Sequence, residues 1–488
     1  VKNKLITRYD SIQGNFETKG TKTLLGDPKK AIRILAGPMI IAMFIQTIYN
    51  LVDTWWVSFL GTDALAAVGF VFPFFIILMA FATGVGIGGG SAISRKIGAK
   101  DKIGADHVAI HTIILMILVT VIFTVFLFLF ARDIFTWIGA GNTIDMAVGY
   151  SQIIFAGSIF IFFTNVANAI LRSEGDAKRS MYAMMFGAIL NIFLDPLFIY
   201  DKLTIYNITI PGLGLGVPGA AWATVFSLGI SSAVMFNWLF LRKDTYVIFK
   251  FHGFKFNKNI LKDIFKVGIP AALLQLSMAI TMIIVNIIIV TVVNAGTDGV
   301  AVYQTGWKVA TLAIMPLIGI STAVISVTGA AYGAKDYKKL NTAYIYSLKI
   351  GLIIEIIIAL ATFILAPYIA ASFTTSEDAT RIFYTLQNFL MIICLFYPGV
   401  AFGMLSSSMF QGTGKGVNSL LITLIRTIIF TPLFIVLFAT ILSMGLLGVW
   451  WGIVVANLVG SMISFIWGKI YINNLLKIKN GNIRQKID

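Results

Sequence analysis

The sequence predicts an all-α membrane protein of twelve transmembrane helices, built as two six-helix lobes related by a parallel internal repeat. Three observations carry that prediction. Hydrophobic residues make up 58% of the chain and charged residues only 12%, a balance that soluble globular domains do not show. The apolar residues gather into runs long enough to cross a bilayer. Short motifs of the first half return in the second at a nearly constant offset.

The apolar runs lie at 34–59, 65–94, 107–131, 146–171, 180–200, 217–241, 268–293, 300–330, 342–369, 382–409, 417–440 and 446–472. Several exceed the ~20 residues a bilayer needs, so those helices are expected to tilt, kink or extend beyond it. The first thirty residues are polar and show no cleavable signal, which predicts a flexible cytoplasmic arm or a short amphipathic segment. The loops after even-numbered runs are rich in cations: Arg95, Lys96, Lys100 and Lys102; Arg172, Lys178 and Arg179; Lys335, Lys338 and Lys339. The opposite loops carry only Arg132, Lys202 and Arg381. This asymmetry predicts a plasma-membrane protein with both termini in the cytoplasm. It also accounts for the net charge of +16 without a nucleic-acid partner, because the cations sit between apolar runs and at the termini. The single cysteine, Cys394, lies in an apolar run and excludes a disulfide framework.

The repeat is read from short matches. Gly61-Thr62-Asp63 returns as Gly296-Thr297-Asp298, and Gly98-Ala99-Lys100-Asp101 as Gly333-Ala334-Lys335-Asp336, both 235 residues on. Asp195-Pro-Leu-Phe-Ile matches Thr431-Pro-Leu-Phe-Ile at an offset of 236. Six spans is an even number, so both halves enter from the same side. Such parallel halves are expected to pack about an axis along the membrane normal, with a central cleft. The expected organisation is an arm at 1–30, a first lobe at 31–241, a linker at 242–266, a second lobe at 267–473 and a tail at 474–488.

Two carboxylates interrupt the apolar runs of the first half. Asp195 is 16 residues past Arg179, the last charge before it, or about 24 Å along a helix. Asn191 lies one helical turn from it on the same face, and Pro196 frees a backbone carbonyl one turn back. Gln46, Asn50 and Asp53 follow i, i+4, i+7 spacing and make one polar stripe on the first span. Such a stripe either lines a cavity or joins helices by hydrogen bonds; glue rarely needs a carboxylate. Asp53 stands eight residues before Gly61, about 12 Å from the outer end of its span, and Asp195 is similarly deep. The pair can therefore share one level. In low dielectric the two acids either share a proton or hold a cation between them.

Motifs in order along the chain resemble those of the multidrug and toxic compound extrusion (MATE) family of cation-coupled exporters, from about residue 28 to 475. They are Pro38, Val52-Asp53-Thr54, Arg172-Ser-Glu-Gly-Asp176, Gly333-Ala-Lys-Asp336 and Gln411-Gly-Thr-Gly414. Asn191 and Asp195, with Tyr303 to Trp307-Lys308, look most like the archaeal and DNA-damage-inducible branch. The resemblance implies two six-helix lobes that alternate between facing out and facing in while drugs leave as Na⁺ or H⁺ enters. It places Thr224 with Asp53, Asn191 and Asp195 at the cation site, four oxygen ligands suited to Na⁺; by chemistry alone Thr224 could equally bond its own helix backbone. It puts Tyr150, Asn165 and Asn168 on the cavity wall beside Gln46 and Tyr49, against the alternative of interhelical hydrogen bonding. Met43 and Met184 suit an adaptable drug pocket, although a membrane methionine is usually packing.

The second half has no matching acid pair. Asp195 becomes Thr431, Asn191 becomes Thr427, and Ile288 stands where Asp53 would. Coupling is therefore expected in the first half. Lys308, Glu355 and Arg426 are the second half's expected buried charges, while Lys349 and His111 lie near helix ends and are expected to snorkel. The histidines show no metal spacing, and Gly84-Val-Gly-Ile-Gly-Gly-Gly90 lacks the strand and the Lys-Ser/Thr of a phosphate loop; close helix packing or a bend is expected there. No enzyme chemistry and no cofactor is expected, only a coupling ion, Na⁺ or H⁺. The function read from the sequence is a monomeric antiporter exporting amphipathic, cationic, drug-like compounds. Its rivals are a lipid-linked oligosaccharide flippase, disfavoured by the few deep cations, and a non-transporting subunit of a membrane complex.

Overall fold

The computed structural model describes residues 17–205, 208–242, 244–252, 254–374 and 380–479. The first sixteen residues of the expected arm and residues 480–488 of the expected tail lie outside the described residues. The chain packs as two compact units. One gathers the chain up to Gly26 with Ile41–Ala272; the other gathers Asp27–Ile40 with the chain from Leu273 onward.

The first unit opens with a short helix, α1 (Lys19–Leu25), whose first turn is capped by the Thr18 hydroxyl accepting from the Thr21 N–H at 3.2 Å. The long helices follow: α2 (Pro28–Ser58), α3 (Thr62–Gly98) and α4 (Lys102–Leu129), then a short α5 (Ala131–Trp137). Helices α6 (Ile144–Ala156) and α7 (Ser158–Ser173) are bent by 45° at Gly157. A β-carbon on Gly157 would stand 2.4 Å from Val225, so the bend is where the neighbouring helix comes closest. Helix α8 (Ala177–Ile199) leads to a hairpin of β1 (Lys202–Ile205) and β2 (Ile208–Pro211), paired antiparallel with Lys202 opposite Pro211. This hairpin is the one departure from all-α structure among the described residues. Helix α9 (Val217–Phe236) runs on through a π turn, and α10 starts at Lys258 and extends to Ile287.

The second unit continues with α11 (Gly296–Ala313), α12 (Met315–Gly333) and α13 (Tyr337–Phe373). Run 300–330 is thus two helices, because Pro316 follows the break at Ile314 and supplies no N–H to bridge it. Helix α14 (Phe383–Ile393) joins α15 (Tyr397–Gly412) through one 3₁₀ turn, followed by α16 (Gly416–Leu424), α17 (Thr431–Val436) and α18 (Gly445–Lys479). Among the described residues eleven helical segments are long and apolar enough to cross a membrane, and the α6–α7 pair makes a twelfth. Their outer faces are apolar: Ile117, Leu118, Val121, Ile122 and Val125 of α4 are all about half exposed. A polytopic protein presents such faces to lipid.

The repeated motifs turn out to be joints. After α3, Lys100 takes a left-handed φ of 57° and Asp101 caps α4, accepting from the Gly104 N–H at 2.8 Å. After α12, Lys335 does the same at 53° and Asp336 caps α13 by accepting from the Lys339 N–H at 3.1 Å. Gly175, at φ 87°, and Asp176 repeat the device before α8. A carboxylate at a helix N-terminus is favoured by the dipole and by the orphan amides. Burial pushes the Asp101 carboxyl up, but Lys96 at 2.7 Å and the Gly104 amide outweigh it and hold the group below its usual range.

The glycine run of α3 packs three helices. A β-carbon on Gly84 or Gly88 would reach the backbone of α10, at Gly268 and Ile264, within 2.7 Å; on Gly90 it would meet Ala169 of α7 at 3.1 Å; on Gly89, Thr112 of α4. Helices approach this closely only where no side chain intervenes.

Candidate functional site

A buried polar group of the first unit is built where α8 and α9 meet. Small residues let them approach: a β-carbon on Gly187 would touch Ser231 at 3.3 Å, and one on Gly219 the Phe198 carbonyl at 2.4 Å. The Ser231 hydroxyl donates to the Ala183 carbonyl at 2.9 Å and fastens the pair. One turn further along α8 stand Asn191 and Asp195, 1% and 0% exposed. The Asn191 amide donates to the Thr224 hydroxyl oxygen of α9 at 3.4 Å. Among the described residues no bond from the Thr224 hydroxyl to its own helix backbone accompanies it.

Helix α2 supplies the other side. Its Asp53 carboxyl lies within electrostatic reach of that of Asp195. Tyr49, one turn before Asp53, stands within electrostatic reach of both acids, and Tyr150 of α6 within reach of both acids and of Tyr49. Asp53 Oδ1, Asn191 Oδ1 and both carboxyl oxygens of Asp195 are buried without a hydrogen-bond donor. Four orphaned oxygens in one place are costly when the acids are ionised. They become satisfied if a proton bridges the acids or if a hard monovalent cation takes their lone pairs. Among the described residues no cluster of three or more His, Cys, Asp or Glu offers a transition-metal site.

An apolar seal covers this group toward the ends of α2 and α8. Val57, Ala64, Ile199, Val217 and Ala220 form a buried cluster with Trp56, Leu60, Tyr150 and Tyr200 packed on it. The Tyr200 hydroxyl donates to the Trp56 carbonyl at 2.6 Å, and their rings meet edge to face at 6.0 Å. Trp56 and Tyr200 were not among the residues singled out from sequence, where an aromatic at a span end reads as an interfacial anchor.

The remaining candidates fall into two groups. Gln46, Met43 and Met184 are half-buried, on the same helices as the acids; Asn50, the middle of the polar stripe, is exposed. Asn165 and Asn168 of α7 are engaged elsewhere. The Asn165 amide donates to the Ile161 carbonyl of its own helix at 2.9 Å. Asn168 accepts from the Ser180 hydroxyl of α8 at 2.7 Å and is buried.

In the second unit Thr427 and Thr431 give their hydroxyls to their own helix, to Thr423 at 2.9 Å and Arg426 at 3.0 Å, and Ile288 is buried. The three expected buried charges divide. Glu355 is 0% exposed with both carboxyl oxygens unpartnered, Arg426 is half-buried against Gly460 and Gly403, and Lys308 is exposed rather than buried. Its position on α11 turns the side chain away from the packed aromatic face of Tyr303, Phe389 and Trp450. His111 does not snorkel either. It is 1% exposed, donates from Nδ1 to the His107 carbonyl at 2.7 Å and accepts at Nε2 from the Asn257 N–H at 2.9 Å, beside Phe254 and Phe256. Two committed ring nitrogens hold it in place.

A duplicated bundle of spanning helices with carboxyl groups buried at depth is the architecture of a membrane transporter. The chain belongs to the MatE family, whose profile matches residues 38–197 and 270–437, one stretch in each half. Among curated relatives it is 26% identical to the multidrug export protein MepA of Staphylococcus haemolyticus over 437 residues, 89% of this chain and 92% of that protein. Among solved structures it is 44% identical to a MATE transporter in complex with MaL6, with a TM-score of 0.89 over 94% of this chain and all of that one. It is equally similar, at 44% and 0.89 over 95% of this chain and all of that one, to a MOP superfamily transporter from Pyrococcus furiosus described as having a binding pocket of reverse polarity.

Proposed function

We propose that the protein is a cation-coupled antiporter that exports amphipathic, cationic organic compounds by alternating access, with Na⁺ or H⁺ as the coupling ion and both termini in the cytoplasm. The observation that carries this is the quartet of buried, donorless oxygens on Asp53, Asn191 and Asp195, beside the Thr224 hydroxyl. These residues bind the ion. Tyr49 and Tyr150 stand near them and, with Gln46, Met43 and Met184, form the substrate-binding set, while the side chains of Asn165 and Asn168 are held by Ile161 and Ser180. The MepA relatives are multidrug exporters by name, which supports export of drug-like compounds, and the cation-rich loops after even-numbered spans support the orientation. The protein works as a monomer and needs no cofactor.

The coupling follows from electrostatics. A cation entering between Asp53 and Asp195 neutralises their repulsion and binds oxygens that otherwise lack partners. A cationic substrate favours the state in which the acids are bare. The two ligands thus select different states of one site, which is the requirement for exchange. Counterflow of an ethidium-like dye in proteoliposomes, with Na⁺ and H⁺ gradients imposed separately, tests the reading. Dye movement driven by one of the inward gradients is expected; dye movement indifferent to both would overturn the proposal.

A further inference from the structure

The first three turns of α10 carry Lys258, Lys262 and Lys266, four residues apart, so the ammonium groups stack on one face at steps of about 6 Å. All three are exposed, as is Lys255 just before them. Between them lie Leu261 and Phe265, and with these two the lysines line an open recess of about 600 Å³. Phe265 is 38% exposed, and Phe251 and Phe256 in the preceding segment are 51% and 60% exposed. The one carboxylate from Phe254 to Ala272 is Asp263, and it is engaged by Arg95 of α3 at 2.8 Å. Among the described residues no ion pair involves Lys255, Lys258, Lys262 or Lys266. After Lys266 the next charged residue is Asp298. The lysine face therefore sits where the apolar span of α10 begins, at the level of the lipid headgroups.

A positive-inside loop needs cations but not this arrangement. Scattered lysines would meet the topological rule equally well. Here they form a row with apolar and aromatic surface between them and, among the described residues, no acid paired with them. A row of ammoniums matches an anionic phosphodiester, and the intervening Leu261 and Phe265 match the first methylenes of an acyl chain. The geometry points to a binding site for the phosphate headgroup of an anionic membrane phospholipid on the Lys258–Lys262–Lys266 face of α10. In the orientation proposed above this is the cytoplasmic leaflet, where anionic lipids attract juxtamembrane basic segments. The site is independent of the coupling scheme, since its occupant is a component of the bilayer rather than the transported compound.

The test is native mass spectrometry of the full-length purified protein titrated with phosphatidylglycerol and, separately, with phosphatidylcholine. Wild type is expected to hold phosphatidylglycerol in preference. Apparent affinity is expected to fall roughly fivefold for each lysine removed along the series Lys262→Gln, Lys258→Gln/Lys262→Gln and the triple variant with Lys266→Gln. An equal loss in Lys335→Gln/Lys338→Gln/Lys339→Gln, at another basic joint, would mean diffuse charge rather than a site and would overturn the inference. Equal binding of phosphatidylcholine, or unchanged binding in the triple variant, would overturn it too. Displacement by excess inorganic phosphate would assign the face to a soluble anion instead of a lipid. Unchanged thermal melting in phosphatidylcholine nanodiscs shows that the variants fold.

Discussion

Asp195 has no exposure and no donor on either oxygen, so its ionised form is held in place by whatever neutralises it. Replacing it with Asn removes the exchangeable charge and the repulsion from Asp53 together. Asp195→Asn and Asp53→Asn are therefore expected to lose at least about tenfold in dye efflux, equivalent to ~1.4 kcal/mol, while thermal stability in cation-free buffer holds or rises. Thr427→Ala and Thr431→Ala, which remove hydroxyls bonded only to their own helix, are expected to transport near the wild-type rate. Efflux and melting measured on the four purified variants decide the matter; equal losses in both pairs would place the ion chemistry elsewhere. Asp195 was legible because a charge about 24 Å into an apolar run is rare enough to speak alone, and i, i+4 spacing fixed the face of Asn191. Thr224 was legible only through the family, since an ordinary helix threonine has the same sequence context. The buried setting of His111 and the closure by Trp56 and Tyr200 were not legible, because each depends on a partner 144 or more residues away in the chain.

At the scale of elements, the linker expected at 242–266 is a fastened strap followed by the start of α10. Glu174, in the joint before α8, accepts from the Tyr246 and Val247 amides at 2.9 Å each. Asp106 accepts from the Ile248 amide at 2.9 Å, and Arg179 pairs with Asp244. Burial pushes the Glu174 carboxyl up to about 7, against the opposing pull of the two amides, and Asp176 and Lys102 are the charged groups facing it. The sign follows from linkage. An acid whose carboxyl titrates higher in the closed strap than in water binds more protons when closed, so acid favours closure and the advantage fades as pH rises through about 7. Hydrogen-exchange protection of Tyr246 and Val247, corrected for intrinsic rate, is expected to fall between about pH 6 and pH 8 and to lose that dependence in Glu174→Gln. Protection flat across that range in wild type would rule out Glu174 as the group responsible. Sequence composition showed this stretch as polar and therefore as a connector. It could not show that Glu174 and Asp106 would take up three of its backbone amides, since any exposed loop has amides to offer.

At the scale of the whole molecule, two of the three boundaries between the compact units fall two residues after a proline inside a helix: Ile40 after Pro38 in α2, and Ala272 after Pro270 in α10. The duplication was legible from the recurring motifs. The assignment of the first turns of α2 and α10 was not, because hydropathy marks where a span begins and not what its first turns pack against. Proline interrupts the hydrogen-bond ladder one turn back and gives each helix a place to bend. Beyond Pro38, α2 runs unbroken to Ser58 and carries Gln46, Tyr49 and Asp53. Any displacement of Asp53 along that helix is thus passed to Gln46 and Tyr49, the residues proposed to bind substrate. With both acids bare, repulsion disfavours their approach; with a proton or Na⁺ between them, α2 can close on α8 and α9. A ligand shifts such an equilibrium only by its differential affinity for the two states, and the effect is reciprocal, so the cation must weaken dye affinity by the factor with which dye weakens cation affinity. Dye binding to the detergent-purified protein, measured at several pH values with and without Na⁺, is expected to weaken as the ion site fills, and Asp53→Asn to flatten that dependence. Wild-type affinity that ignores both ions would show that the acids and the substrate residues do not communicate through α2.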